Sequence, residues 1–287
     1  MSLYKFASLL VSISLVYGAP YGGGKYGIKT MVIFGDSYSD TGNVYKLTNQ
    51  TSPPPYCYKG RSSNGPVWPE YLQKTTHWRV LNYAYGGATI NNKVIQGHAN
   101  KVPVPSIADQ IVTHQSFLAR EKLDPRTTLY VVAPAGNDYS QGVPIPSPQS
   151  VATNTYETSK VLLEPPFSGE HFVFFNAAFD HLPSNVQANA TIGDRIKASR
   201  IKHNQLLNEL LQENFKVDVK VFDMNALFEQ ELADPHYEDP QVGCVTIIPN
   251  NPPVICNHPK KKVFWDQVHP ITSTHKMMAK RIGALFN

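Results

Sequence analysis

Five short apolar runs recur along the chain, each followed by a segment whose apolar residues repeat at helical spacing. They are Thr30 to Phe34, Trp78 to Tyr83, Thr128 to Ala133, His171 to Asn176 and Val217 to Phe222. Runs of this length read as buried strands. The helical segments are Ser37 to Lys46, Ser106 to Arg120, Ser150 to Leu163, Ile192 to Phe215 and Met224 to Leu232. An extra helix is predicted over Pro66 to Lys74, and a last one over Pro270 to Phe286. Strands that alternate with helices close into a parallel sheet covered on both faces.

The connections are unequal. Those from helix into strand are short, such as Thr75 to His77 and Asn214 to Lys216. Those from strand into helix are long: Ala88 to Pro105, Pro134 to Gln149 and Ala177 to Thr191. In a parallel sheet all strand-to-helix loops lie at one edge, where such folds bind ligands. Long loops there point to a site.

The first eighteen residues have the form of a secretory signal: Lys5, an apolar stretch from Phe6 to Val16, and a small-residue cleavage site at Val16-Tyr17-Gly18. The apolar stretch is too short for a transmembrane segment. The expected organisation is a signal over 1–18, a Gly-rich lead-in over 19–29 and one domain over 30–287, giving a secreted, extracellular monomer. Lysine and arginine exceed aspartate and glutamate by four over the 287 residues, and the excess is scattered, so nucleic acid is not expected as a partner. Asn49-Gln50-Thr51 and Asn189-Ala190-Thr191 are glycosylation acceptor sequences. The three cysteines lack zinc-site spacing; in an oxidising compartment Cys244 and Cys256 are the expected disulfide, leaving Cys57 a free thiol.

Chemistry-bearing residues gather at the predicted loop edge. After the first run, Gly35-Asp36-Ser37 places a hydroxyl where a strand gives way to a helix, with Asp40 three residues on as in a capping box. A hydroxyl near a helix N-terminus suits a nucleophile, though the same pattern also serves as an ordinary cap. Near the C-terminus, Asp266 and His269 are three apart, followed by Pro270, which suits the first position of a helix. Such a turn brings a carboxylate to the imidazole Nδ1 and leaves Nε2 free to accept a proton. After the second run come Gly86-Gly87-Ala88-Thr89, and after the third Gly136-Asn137-Asp138. Each is a turn, or a source of donors for an oxyanion.

The order Gly-Asp-Ser, Gly-Gly-Ala-Thr, Gly-Asn-Asp and Asp-x-x-His-Pro resembles the SGNH hydrolases, also called the GDSL esterase/lipase family. The resemblance implies a three-layer α/β/α sandwich with a five-stranded parallel sheet, flavodoxin-like in topology. It implies Ser37 as nucleophile, His269 as general base and Asp266 as its orienting group. The oxyanion hole would comprise the backbone N–H groups of Ser37 and Gly87 and the side chain of Asn137. No metal or cofactor is required by that chemistry. Position 39 is serine, so Gly-x-Ser-x-Gly, the mark of the other large serine hydrolase class, is absent.

Gly60-Arg61-Ser62-Ser63-Asn64-Gly65-Pro66-Val67-Trp68 and Trp265-Asp266 also resemble fungal secreted acetylesterases of carbohydrate esterase family 16, with Ser62 where those carry an aromatic. The thermolabile haemolysin and phospholipase branch shares much of this pattern. The expected function is hydrolysis of short-chain esters, acetyl groups on plant cell-wall oligosaccharides above all. The loops at the expected site are rich in Asn, Gln, Ser and Pro, and Tyr38, Trp68, Tyr85 and Tyr139 flank the motifs, as rings that stack on sugars would. The alternatives are a lipase or phospholipase of the same family, and an inactive carbohydrate-binding protein on the same fold.

Overall fold

The computed structural model describes residues 26–186 and 190–286. The expected signal and Asn189 therefore lie outside the described residues. In chain order come β1 (Thr30–Gly35), α1 (Asn43–Leu47), α2 (Trp68–Thr76), β2 (Arg79–Asn82) and a small hairpin of β3 (His98–Ala99) and β4 (Val102–Pro103). Then follow α3 (Ile107–Leu118), β5 (Thr128–Ala133), α4 (Asn137–Gln141), α5 (Pro148–Ser159), β6 (His171–Phe175), α6 (Pro183–Val186) and α7 (Ala190–Asn214). The last elements are β7 (Asp218–Phe222), α8 (Met224–Ala233), a second hairpin of β8 (Val245–Thr246) and β9 (Val254–Ile255), and α9 (Thr272–Ala284).

The five expected strands form one parallel sheet in the order β2-β1-β5-β6-β7. The chain steps outward from β1 to β2, then returns to build the other side from β5. The crevice beyond the ends of β1 and β5 is thus the topological switch point, where such sheets bind ligands. Successive side chains of each strand face opposite layers. Met31 and Ile33 pack with Leu129, Val131 and Phe175 against α2, α8 and α9. Val32 and Phe34 pack with Tyr130 and Phe172 against α3, α5 and α7. Both faces are dry, which is why these runs read as continuous rather than alternating. Ile28 is already buried, so packing begins before Thr30.

Two helix starts differ from expectation. Ser37 does not begin a helix: residues 36–39 form a turn in which the Asp36 carbonyl accepts from the backbone N–H groups of Ser39 and Asp40, both at 2.9 Å. The helix is delayed to Asn43, with Gly42 at its N-cap and Asp40, not Ser37, taking its first free amides. The Asp40 carboxylate accepts from Gly42 (2.7 Å), Asn43 (2.6 Å) and Val44 (2.9 Å). A carboxylate is a stronger acceptor than a hydroxyl and takes the free amides. Likewise Pro270 does not start α9. It pairs in a β-bridge with Phe264, and the helix begins two residues later.

Cys244 and Cys256 are bonded to one another, and Cys57 is free and buried. The bridge closes the β8–β9 hairpin. Cys244 N–H donates to the Phe264 carbonyl (3.1 Å) and Val245 N–H to that of Trp265 (2.7 Å), so the hairpin flanks the segment leading to Asp266. Replacing both bridged cysteines by serine is expected to lower stability by about 2–4 kcal/mol. Denaturant unfolding checks this; an unchanged midpoint would remove the bridge from any stabilising role.

Candidate active site

Ser37, His269 and Asp266 meet although 232 positions separate Ser37 from His269. Ser37 lies two residues past the end of β1. Its Oγ is 2.9 Å from His269 Nε2. His269 Nδ1 is 2.8 Å and 2.9 Å from the two carboxylate oxygens of Asp266. The Asp-x-x-His turn holds itself: Asp266 Oδ1 also accepts from the backbone N–H groups of Val268 (2.9 Å) and His269 (2.8 Å). With Nδ1–H directed at the carboxylate, Nε2 is the basic nitrogen facing Ser37. Burial alone would push the imidazole down, but the Asp266 charge and hydrogen bond hold it above its ordinary value of 6.5. Burial would likewise raise Asp266, yet His269 and the backbone donors keep that carboxyl below the usual carboxylate range. The imidazoles of His114, His203 and His275 differ: burial without a carboxylate partner pushes them down to about 4, 4 and 3.

The expected oxyanion donors converge from three loops. The backbone N–H groups of Ser37 and Gly87 donate to no group within the described chain. Both residues line the same cleft. Gly87 has φ +83°, and a Cβ there would lie 2.2 Å from the His98 carbonyl oxygen, so no other residue fits. Asn137, the first residue of α4, also lines the cleft. Its Nδ2 donates to the Ala88 carbonyl (2.9 Å) and, with longer reach, to Asp36 Oδ2 (3.3 Å).

Several residues position these groups in roles the sequence alone did not assign to them. Asp36 is fully buried; it accepts from the backbone N–H groups of Ala135 (2.6 Å) and Tyr38 (3.2 Å). Burial pushes its carboxyl up to about 7, against the pull of those donors and of His269. Gln141 donates through Nε2 to the Gly87 carbonyl (2.9 Å) and accepts through Oε1 from His98 N–H (2.8 Å), clamping the β3–β4 hairpin to the glycine turn. The Gly60–Trp68 motif anchors the histidine turn from outside: Ser63 Oγ donates to the Pro270 carbonyl (3.0 Å), and Asn64 Oδ1 accepts from Thr272 N–H (2.9 Å). In the sequence that motif stands out only by its resemblance to fungal acetylesterases.

The triad opens into a cleft of about 650 Å³. Its floor carries Ser37, Gly87 and Asn137; Phe179, Leu182, Ile192, Ile196 and Val268 contribute apolar wall. This departs from the polar edge that loop composition suggested. Apart from Val268 of the histidine turn, these groups come from the loop after β6 and from the first turns of α7, whose residues 192, 195, 196 and 199 present one helical face to the cleft. Of the four aromatics flanking the motifs, Tyr38 and Tyr139 line the cleft, while Trp68 is core and Tyr85 packs beside Val44 and Ala88. The hydroxyls of both cleft tyrosines are already engaged. Tyr38 donates to the Val268 carbonyl (2.5 Å), and Tyr139 meets His203 Nδ1 (2.9 Å). Among the described residues no cluster of three His, Cys, Asp or Glu side chains is placed to hold a metal ion.

The fold and this constellation define a three-layer hydrolase of the α/β/α kind with a serine at its first strand. The GDSL-like Lipase/Acylhydrolase family profile matches residues 31–282, and the chain belongs to that family of carboxylic ester hydrolases. It is similar to the thermolabile hemolysin of Vibrio parahaemolyticus, 24% identical over 276 residues covering 89% of this chain. The chain spans 63% of that protein's length. It is 32% identical over 134 residues to an acetylesterase of Hypocrea jecorina, across 44% of this chain and 35% of the other. Among solved structures, an acetylxylan esterase from Geobacillus stearothermophilus shares the fold with a TM-score of 0.52 at 14% identity, covering 93% of this chain and 97% of the other.

The electrostatics of His269 yield a direct test. Its ring is expected to titrate above 6.5 in an NMR pH titration, because Asp266 stabilises the charged form. Asp266→Asn removes that charge and leaves the burial, so the midpoint is expected to move down. A midpoint that stayed in place would mean that Asp266 does not control this imidazole.

Proposed function

We propose that this chain is a serine esterase working through an acyl-enzyme, with Ser37 as nucleophile, His269 as base and Asp266 as its orienting group. The observation that carries the reading is the unbroken relay from Asp266 through His269 to Ser37 Oγ, set in the wall of a cleft. His269 Nε2 takes the hydroxyl proton as Oγ attacks the ester carbonyl. Asp266 stabilises the imidazolium that forms. The carbonyl oxygen, now negative, accepts from the idle N–H groups of Ser37 and Gly87. Asn137 joins them by exchanging its longer bond to Asp36 for the oxyanion. The imidazolium returns its proton to the leaving alcohol, and water, activated by the same nitrogen, releases the acid.

Ser37→Ala and His269→Ala are each expected to abolish hydrolysis, and the double variant to lose little more, because the groups act as one unit. Asn137→Ala is expected to lower kcat by roughly 10²–10³ with KM little changed, as for a donor used in the transition state. Steady-state kinetics on an activated ester check both. A Ser37→Ala enzyme retaining most of its rate would sink the assignment.

The cleft lies in the size range of small-molecule sites, roughly 300–1,000 Å³, and an acetyl group would fill little of it. Its apolar wall supports an ester whose acyl chain extends several carbons beyond the carbonyl. The second reading is hydrolysis of acetyl esters on cell-wall sugars. It is favoured by the similarity to the Hypocrea acetylesterase and by Ser52, His98 and Asn100 on the side of the cleft near the β3–β4 hairpin. A kcat/KM series over 4-nitrophenyl esters separates the two. The apolar wall predicts a rise from acetyl to medium chain lengths; a maximum at acetyl would decide for the sugar esters.

We place the protein outside the cell, processed after the signal at 1–18. The Cys244–Cys256 bridge supports an oxidising compartment, and Asn49 is exposed, as a glycosylation acceptor must be. No helix among the described residues is long and apolar enough to cross a membrane.

A further inference from the structure

We infer that Arg195 is a specificity-determining residue of the cleft, and that the preferred substrate carries an anionic group at the end remote from the reacting carbonyl. The inference rests on the esterase reading of the same site.

Three observations carry it. First, Arg195 lies on the face of α7 that lines the cleft, between Ile192 and Ile196 and one turn before Ser199. The 3.6-residue repeat directs these four side chains the same way and sends Asp194 and Lys197 elsewhere. Second, the charge is uncompensated. Arg200, farther along the helix, is spent on a two-toothed contact with Asp180, at 3.0 Å and 2.9 Å. Arg195 pairs with no carboxylate among the described residues, and no Asp or Glu lines the cleft. Third, apolar side chains make up much of the lining it shares: Phe179, Leu182, Ile192 and Ile196, beside the neutral polar Ser184, Asn185 and Ser199, while Arg195 itself is exposed and reachable by a ligand.

These facts bear on any ligand long enough to follow the apolar wall. A neutral ligand seated there would strip water from the guanidinium and offer nothing in return, which is unfavourable. An anionic oxygen pair would restore the lost hydrogen bonds, and a guanidinium grips carboxylate or phosphate with two parallel donors. Arg195 is exposed in the free protein, so the pairing gains strength only as a seated ligand displaces water from it. The wall and the cation thus define one ligand shape: an ester, an apolar stretch and a terminal anion.

The test uses two matched pairs of esters with the full-length protein at low salt. One pair is 4-nitrophenyl pentanoate against mono-4-nitrophenyl glutarate, which adds a carboxylate to the acyl end. The other is 1-hexanoylglycerol against its 3-phosphate, which adds the anion to the alcohol. The wild type is expected to prefer the anionic member of at least one pair, and which pair tells whether the anion sits on the acyl or the alcohol side. Arg195→Gln should reduce that preference by roughly tenfold or more, the scale of a lost charge-assisted hydrogen bond; Arg195→Lys should recover part of it. A wild type that favours neither anion, or an Arg195→Gln enzyme with an unchanged ratio, overturns the inference while leaving the esterase reading intact. Absence of hydrolysis of all four esters overturns the esterase reading, and the inference with it.

Discussion

Two buried carboxylates, Asp36 and Asp40, set the geometry of the whole loop edge. Where strands end inside a folded protein, their last amides lose their ladder partners and need other acceptors. Asp40 takes four of them: Gly42, Asn43 and Val44 in its own turn, and Gly86 from the loop after β2 at 2.8 Å. Asp36 takes Ala135 from the loop after β5, and Tyr38 next to the nucleophile. The three loops that bring Ser37, Gly87 and Asn137 together are therefore tied to one another through side chains of the first loop, and Asn137 and Gln141 add ties between the other two. The amides of Ser37 and Gly87 are left over in this arrangement and face the cleft. An oxyanion hole is a set of donors denied internal partners, and here the denial comes from how the neighbouring donors are spent.

Such an arrangement is only partly written in local sequence. The three central strands were legible because burial on both faces produces uninterrupted apolar runs, and the edge strands β2 and β7 because charged residues interrupt their runs only briefly. The Asp266–His269 pair was legible too, because a spacing of three is the whole of its geometry. The helix after Ser37 was misplaced: a Ser-x-x-Asp pattern does not say which oxygen wins, and the carboxylate did. Gln110 and Gln141 carried no local signal at all. Gln110 brackets both the N–H and the carbonyl of Gly35, each at 2.9 Å, from 75 positions away. Their function depends on tertiary approach, and an amide side chain in a helix looks like any other solvated residue.

The apolar wall was misread for a related reason. Composition of the strand-to-helix loops is dominated by Asn, Ser and Pro, but those residues serve backbone turns. Most of the apolar residues that line the wall come from two elements, the loop after β6 and the first turns of α7. Their shared direction appears only once the helix is laid beside the cleft. The aromatics show the converse: Tyr38 and Tyr139 reach the cleft, yet their hydroxyls are used to brace Val268 and His203.

The base is the group with the most to lose from chain freedom, since it arrives from the far end of the sequence. Four separate ties fix its turn. Tyr38 holds the Val268 carbonyl, Ser63 the Pro270 carbonyl, and Phe264 pairs with Pro270 across the turn. Asn64 and Pro66 together hold Thr272, through its N–H and its hydroxyl at 2.9 Å and 2.8 Å. Gly65 lies so close beneath that a Cβ would come within 2.5 Å of that hydroxyl, which explains a glycine between two anchoring residues. None of these contacts involves a ligand, so the imidazole stands at 2.9 Å from Ser37 before any ester arrives. A base held this way needs no ordering at the moment of proton transfer, and the entropy of fixing it has been met by folding. The motif from Gly60 to Trp68 is therefore a brace for His269, which accounts for a polar, glycine-containing stretch standing so far from the chemistry in sequence and so near to it in space.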